Sequence, residues 1–264
     1  MKFLAVIGNP IMHSKSPRMH NNAIKLLGLK GVYTRYCFNQ NLNLREELFK
    51  LGFDAVNITA PFKEKAYEIA DFRDKFSSYI GSSNTLYLKN NKIYAYNTDG
   101  IGFLESIKEF KNIKKALILG AGGTALALAY ILKQNGIQVC VANRNDKKFQ
   151  RFDNSYQTSL YENLEDFHFD LVVNSTSAGL IDENLPCNKN ILEKILVNAR
   201  FAFDVIYSRE TPFYKLCKKY DLKIKNGLEM LLWQGVFAFE IFFELKNKRE
   251  EIKNAMLQGL KLLS

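Results

Sequence analysis

Ala116-Leu-Ile-Leu-Gly-Ala-Gly-Gly-Thr-Ala125 is the stretch from which the fold is read. Its apolar start, Ala116 to Leu119, fits a short strand buried on both faces. It runs into Gly120-x-Gly122-x-x-Ala125, the spacing of a dinucleotide-binding turn with Ala in the last glycine position. Gly120 permits the tight turn, Gly122 lets a pyrophosphate approach the backbone, and Ala125 keeps the next helix close to the strand. Residues 126–134 read as that helix, stopped by Gly136, and 137–142 as the next strand. The helix N-terminus offers unpaired N–H groups and a dipole suited to phosphate. This is a βαβ unit of the nucleotide-binding kind.

The second strand runs out at Asn143-Arg144, where an NAD site carries Asp or Glu for the ribose hydroxyl. No acid stands there, and Asp146 lies past the strand end. Arg144, with Lys147 and Lys148, suits a 2′-phosphate instead, which favours NADP over NAD.

Outward from this unit, the N-terminal third alternates short strands (3–7, 31–38, 55–58) with helices (17–27, 42–51, from 62). Residues 83–89 and 92–95 flank Asn90-Asn91, a hairpin turn signal. A helix follows Asp99, and the charged 111–115 segment or the helix before it marks a domain boundary. Further strands are expected at 171–174, 195–198, 201–205 and 222–224, and helices at 227–243 and 250–263. Alternating strands and helices argue for α/β layers rather than a β-sandwich.

The 264 residues allow about two domains, and a 47% apolar share is ample for a core. Cys37, Cys140, Cys187 and Cys217 are too few and too scattered for a disulfide scaffold or a zinc site, so no metal is expected. They fit core thiols in a reducing, cytoplasmic setting. The opening MKFLAVIGNP reads as a first strand rather than a signal peptide, and no apolar run is long enough for a membrane span. The net charge of +10 is scattered, without a basic arm or an RNA-binding aromatic signature. It is compatible with steering anions and requires neither nucleic acid nor membrane as partner.

Four polar clusters stand at expected strand ends: Asn9-Pro-Ile-Met-His-Ser-Lys-Ser-Pro17, Asn57-Ile-Thr-Ala-Pro-Phe-Lys63, Ser83-Asn-Thr85 and Asn97-Thr-Asp-Gly100. Ligands of open α/β sheets bind at the C-terminal ends of strands. Each cluster alone fits a cap or a turn. Together they suit a polyhydroxylated ligand whose hydroxyls all need partners. Carbonyl reduction also needs a proton donor. Lys63 oriented by Asp99 fits that task, although Lys63 alone also fits an exposed lysine at a helix start. His13 and His20 are rival acid–base candidates, and His20 also fits plain helix packing.

With Asn174-Ser-Thr-Ser-Ala-Gly179 and Gly227-Leu-Glu-Met-Leu231, these motifs cover nearly the whole chain in order, and the set resembles the shikimate dehydrogenases. The resemblance implies two α/β domains flanking a cleft: an N-terminal substrate domain (1–105 plus 236–264) and a Rossmann-like nucleotide-binding domain (106–235). It implies reversible, NADP-dependent reduction of 3-dehydroshikimate to shikimate in aromatic amino-acid biosynthesis, by a monomer or homodimer. Ser14 and Ser16 would hold the substrate carboxylate, helped by Tyr207. Asn57, Thr59, Asn84, Asp99 and Gln234 would contact ring hydroxyls, and Lys63 with Asp99 would be the catalytic pair. Gly120, Gly122 and Gly123 would cradle the pyrophosphate, and Arg144 with Lys148 would meet the 2′-phosphate. Gly227 and Met230 would lie near the nicotinamide, and Ala121, Thr124, Asn143 and Ser175 complete the implied cofactor set. The nearest rival, an NAD-dependent quinate/shikimate enzyme, is disfavoured by Arg144 and by Ser16, where Thr would lean towards quinate. A non-enzymatic regulator is disfavoured because both Lys63 and Asp99 are present.

Overall fold

The structure is a computed structural model that describes residues 1–261. In chain order its elements are β1 (Lys2–Gly8), α1 (Ser16–Leu26), β2 (Gly31–Cys37), α2 (Leu44–Lys50), β3 (Ala55–Ile58), α3 (Lys63–Glu68), β4 (Phe72–Arg73), α4 (Lys75–Ile80), β5 (Thr85–Lys89) and β6 (Lys92–Tyr96). There follow α5 (Asp99–Ser106), β7 (Lys115–Leu119), α6 (Gly123–Gln134), β8 (Gln138–Asn143), β9 (Gln157–Leu160), β10 (Leu171–Asn174), α7 (Lys189–Leu196), β11 (Phe201–Asp204), α8 (Pro212–Lys219), β12 (Lys223–Asn226), α9 (Leu228–Phe243) and α10 (Arg249–Lys261). They form two compact α/β units: Met1–Thr98 with the segment from Leu232 onward, and Asp99–Leu231. Among the described residues no helix is long and apolar enough to cross a membrane.

The first unit carries a mixed sheet in the order β2-β1-β3-β5-β6-β4. Strands β2, β1 and β3 are parallel, and β5 runs antiparallel to both β3 and β6. Asn90 and Asn91 both take positive φ (53° and 58°), the left-handed pair that closes a two-residue hairpin between β5 and β6. The C-terminal helix returns here: Asn22 on α1 donates to the Ala255 carbonyl on α10 at 2.6 Å. Gly259 permits that approach, since a Cβ there would stand 2.6 Å from the Arg18 carbonyl oxygen. Residues 262 and 263 of the expected last helix lie outside the described residues.

The second unit carries an all-parallel sheet in the order β12-β11-β10-β7-β8-β9. Ala116 to Leu119 are fully buried, as a central parallel strand requires. The strand order reverses direction between β7 and β10, the switch point where such sheets bind ligands. The strand expected at 195–198 is instead the end of α7. Leu192, Ile195 and Leu196 share one buried helical face, and the Asn188 side chain caps the helix by accepting from the Asn190 amide.

Candidate active site

In the first unit, the polar clusters meet along one edge of the sheet. Asn57 near the end of β3 lies opposite Thr85 at the start of β5, and Thr85 lies opposite Tyr96 at the end of β6. Asn57 Nδ2 donates to the Asn84 carbonyl (3.3 Å) and to Thr85 Oγ1 (3.1 Å). Asn84 Oδ1 accepts from the Thr98 amide at 2.8 Å, and Asn84 Nδ2 donates to Thr98 Oγ1 (3.0 Å) and to Gln234 Oε1 (3.4 Å) on α9. All five side chains are buried. Amides and hydroxyls already satisfied within a dry network are held in place and present their remaining lone pairs and hydrogens to a polar ligand.

Ser14 and Ser16 bracket the start of α1. The Ser16 amide donates to Ser14 Oγ at 3.3 Å, and Arg35 Nε and Nη2 both donate to the Ser14 carbonyl, at 3.1 and 2.7 Å. Two hydroxyls at the N-terminus of this helix suit a carboxylate. Thr59 follows β3, and its amide donates to the Ile7 carbonyl at 2.8 Å. Lys63 opens α3. Phe62 before it is buried edge-on against Phe38, and the Lys63 carbonyl accepts from the Ser83 amide at 2.9 Å, which ties the lysine backbone beside Asn84. Asp99 comes directly after the anchored Thr98 and opens α5.

In the second unit, the ends of β7, β8 and β10 surround a cavity of about 720 Å³. Gly120, Ala121, Gly122, Asn143, Arg144, Lys148 and Ser175 line it, whereas Gly123, Thr124, Gly227 and Met230 do not. Gly120 has φ +102°, and a Cβ there would press on Thr176 Cγ2 at 3.0 Å and Ser175 Oγ at 3.1 Å. At Gly122 and Gly123 a Cβ would meet nothing within 4 Å, leaving open space over the first turn of α6. The 12-residue α6 has no side chain bonding to its first amides from the N-cap, Gly122. Arg144 stands exposed just past the end of β8. Volume, bare amides and basic rim fit a phosphorylated dinucleotide. Gly227 is buried behind β12, where a Cβ would collide with the Val205 carbonyl. Met230 is buried on the first turn of α9, and Tyr207 is half-buried after β11, where burial raises its phenol above the usual range.

Several participants were not foreseen from the sequence. Tyr33 on β2 donates to Asn57 Oδ1 at 2.7 Å. Tyr161 and Cys187 line the dinucleotide cavity, and burial raises the pKa of both, the thiol to about 12. Buried Asp204 accepts from Asn174 Nδ2 (3.1 Å), the Ile206 amide (3.2 Å) and the Thr211 hydroxyl, bracing the ends of β10 and β11, and burial raises its carboxyl. An isolated Tyr or Asp inside a short strand gives no local signal of such a role.

Residues 6–86 match the shikimate dehydrogenase substrate binding domain, 104–206 the shikimate / quinate 5-dehydrogenase family, and 227–257 the shikimate 5'-dehydrogenase C-terminal domain. The shikimate dehydrogenase (NADP(+)) of Helicobacter hepaticus is 40% identical over 255 residues, covering 95% of this chain and 94% of that protein. That of Aquifex aeolicus is 37% identical over 246 residues, covering 90% and 89%. Among solved structures, the Thermus thermophilus shikimate 5-dehydrogenase in complex with NADP(H) and shikimate superposes with a TM-score of 0.86 at 30% identity, covering 98% of this chain and all of that one. The chain belongs to the shikimate dehydrogenase family.

Proposed function

We propose, from membership of this family, that the chain catalyses the reversible NADP-dependent reduction of 3-dehydroshikimate to shikimate. The observation that carries the reading is the buried row Asn57, Asn84, Thr98 and Gln234 at one sheet edge, with Ser16 at a helix start and Lys63 alongside. A carboxylate with several ring hydroxyls matches that inventory group for group.

In this reading Ser14 and Ser16 hold the carboxylate, and Asn57, Thr59, Asn84 and Gln234 fix the ring hydroxyls. The glycine turn, Arg144 and Lys148 bind the cofactor, and Tyr207, Gly227 and Met230 keep the roles implied by the family resemblance. A nicotinamide held there would supply the hydride to the carbonyl carbon. As the C=O π pair moves onto oxygen, the Lys63 ammonium gives that oxygen a proton, and solvent restores the lysine. Asp99 serves as the carboxylate partner of the lysine and contacts a ring hydroxyl. In the reverse direction neutral Lys63 accepts the hydroxyl proton.

The test is absorbance at the nicotinamide band with shikimate or quinate, each offered with NADP or NAD. Turnover should be highest for shikimate with NADP, and a preference for quinate with NAD would sink the reading. Lys63→Ala should lower kcat by about 10²–10⁴ with little change in shikimate KM.

A further inference from the structure

Tyr33 lies on the edge strand β2, on the far side of β1 from β3, yet its phenol reaches the substrate network. It is 2% exposed, and its hydroxyl donates to Asn57 Oδ1 at 2.7 Å. A phenol has a single hydrogen. That hydrogen is spent on Asn57. The phenol thus reaches from the edge strand, past β1, to a residue near the end of β3.

The consequence for Asn57 is specific. Both hydrogens of Nδ2 are spent on the Asn84 carbonyl and Thr85 Oγ1, at 3.3 and 3.1 Å. One lone pair of Oδ1 is spent on Tyr33 by the shortest bond of the three. That leaves one acceptor lone pair, so the carboxamide can offer a ligand hydroxyl an acceptor but no donor. The amide is held in that sense because a flip would set Oδ1 against the Asn84 carbonyl oxygen, two acceptors with no hydrogen between them.

The ring beneath is held as well. His20 stacks on Tyr33 with centroids 4.1 Å apart and planes 16° from parallel, backed by Phe239 and Phe242 at 5.8 and 5.9 Å. Neither His20 ring nitrogen has a hydrogen-bond partner, and burial lowers its pKa to about 3. The imidazole is thus a neutral stacking plate, not the acid–base group considered above.

We propose that Tyr33 is a positioning residue of the substrate site: its hydroxyl holds the Asn57 carboxamide in place with one Oδ1 lone pair left to accept from a ligand, and His20 clamps the ring. The proposal rests on the reading of Asn57 as a substrate contact. It predicts an effect on substrate binding alone, since every group involved belongs to the first unit and the dinucleotide cavity to the second.

The test is steady-state kinetics of Tyr33→Phe beside the unmodified protein, varying shikimate and NADP separately. The substitution keeps the ring and removes only the hydroxyl. Shikimate KM should rise about tenfold, with NADP KM within twofold and kcat within about threefold. His20→Leu keeps the volume and removes the stacking face; it should raise shikimate KM by about threefold, and it decides the matter if Tyr33→Phe does not fold. Unchanged shikimate KM, or shikimate and NADP KM rising in step, overturns the proposal. Absence of turnover in the unmodified protein overturns the functional reading instead.

Discussion

Gly120 and Gly122 sit two residues apart in one loop, yet the geometry assigns them different tasks, and two alanine substitutions should separate those tasks. At Gly120, φ is +102° and an added Cβ would lie 3.0 Å from Thr176 Cγ2 and 3.1 Å from Ser175 Oγ. Backbone strain of this kind costs about 1–3 kcal/mol before the crowding is added, so Gly120→Ala should lose roughly 3 kcal/mol. For a chain of this size that is about 6–12 °C in Tm. At Gly122 the added methyl meets nothing within 4 Å, and φ is −79°. Gly122→Ala should therefore lose only the N-cap preference, about 0.5–1 kcal/mol, or a few degrees. Its effect should fall on the cofactor. The methyl stands in the cavity where the turn would meet a pyrophosphate, and losing one or two charge-assisted contacts weakens binding by about 10–100-fold. The assay is thermal unfolding with and without NADP. At one hundred times the unmodified Kd, bound NADP stabilises by about 2.7 kcal/mol, whereas a thirty-fold weaker site leaves about 0.9, so the ligand-induced rise in Tm should shrink to about a third. A full NADP shift in Gly122→Ala, or a Tm loss matching that of Gly120→Ala, would refute this assignment of the turn.

Arg144→Ala should raise NADP KM by about 10–100-fold and leave NAD KM nearly unchanged, because the guanidinium stands where an acid would meet a free ribose hydroxyl. An equal loss for both cofactors argues against 2′-phosphate recognition. Gly227→Ala drives a Cβ into the Val205 carbonyl, a backbone atom that cannot swing aside, and should cost about 3 kcal/mol, read as a Tm loss near that of Gly120→Ala. Asp71 has its carboxyl lowered to about 2, first by the Ile93 amide and then by Arg45 and Lys92. A depressed carboxyl stabilises above its unfolded pKa of 3.8, and that contribution fades as pH falls towards 2. Denaturant melts should therefore show Asp71→Asn less stable than the unmodified protein at pH 7 and nearly equal to it at pH 2; a constant difference would contradict the sign.

What could be read from the sequence is what short-range physics determines. Ala55–Ile58 and Leu171–Asn174 are short runs, apolar but for one Asn each, flanked by Asp54 and Thr59 and by Asp170 and Ser175, and both appear as strands with the expected limits. The glycine turn is legible because a positive φ and open space at a ligand both select for the same residue. Some windows fit two periods: Ile195 and the residues around it look like a buried strand until Leu192, one helical turn earlier, is counted on the same face. Strand β9 is not legible in sequence, because an edge strand with no buried residue carries polar side chains and no apolar alternation.

The position of Tyr33 is illegible for a deeper reason. Tyr33 lies opposite Leu4, Leu4 lies opposite Ala55, and Asn57 is two residues further along the same face as Ala55. The phenol therefore meets the carboxamide only through two strand registers, and a slip of one residue in either would turn one partner to the other face. Chemistry at strand ends announces itself in clusters because the chain must turn there, and turn residues are polar. The residues that hold such a cluster rigid come from strand interiors, where a single Tyr or His looks like core. In this chain the groups proposed to face the substrate stand out in sequence, while their support becomes visible only in the register of β1 with β2 and β3.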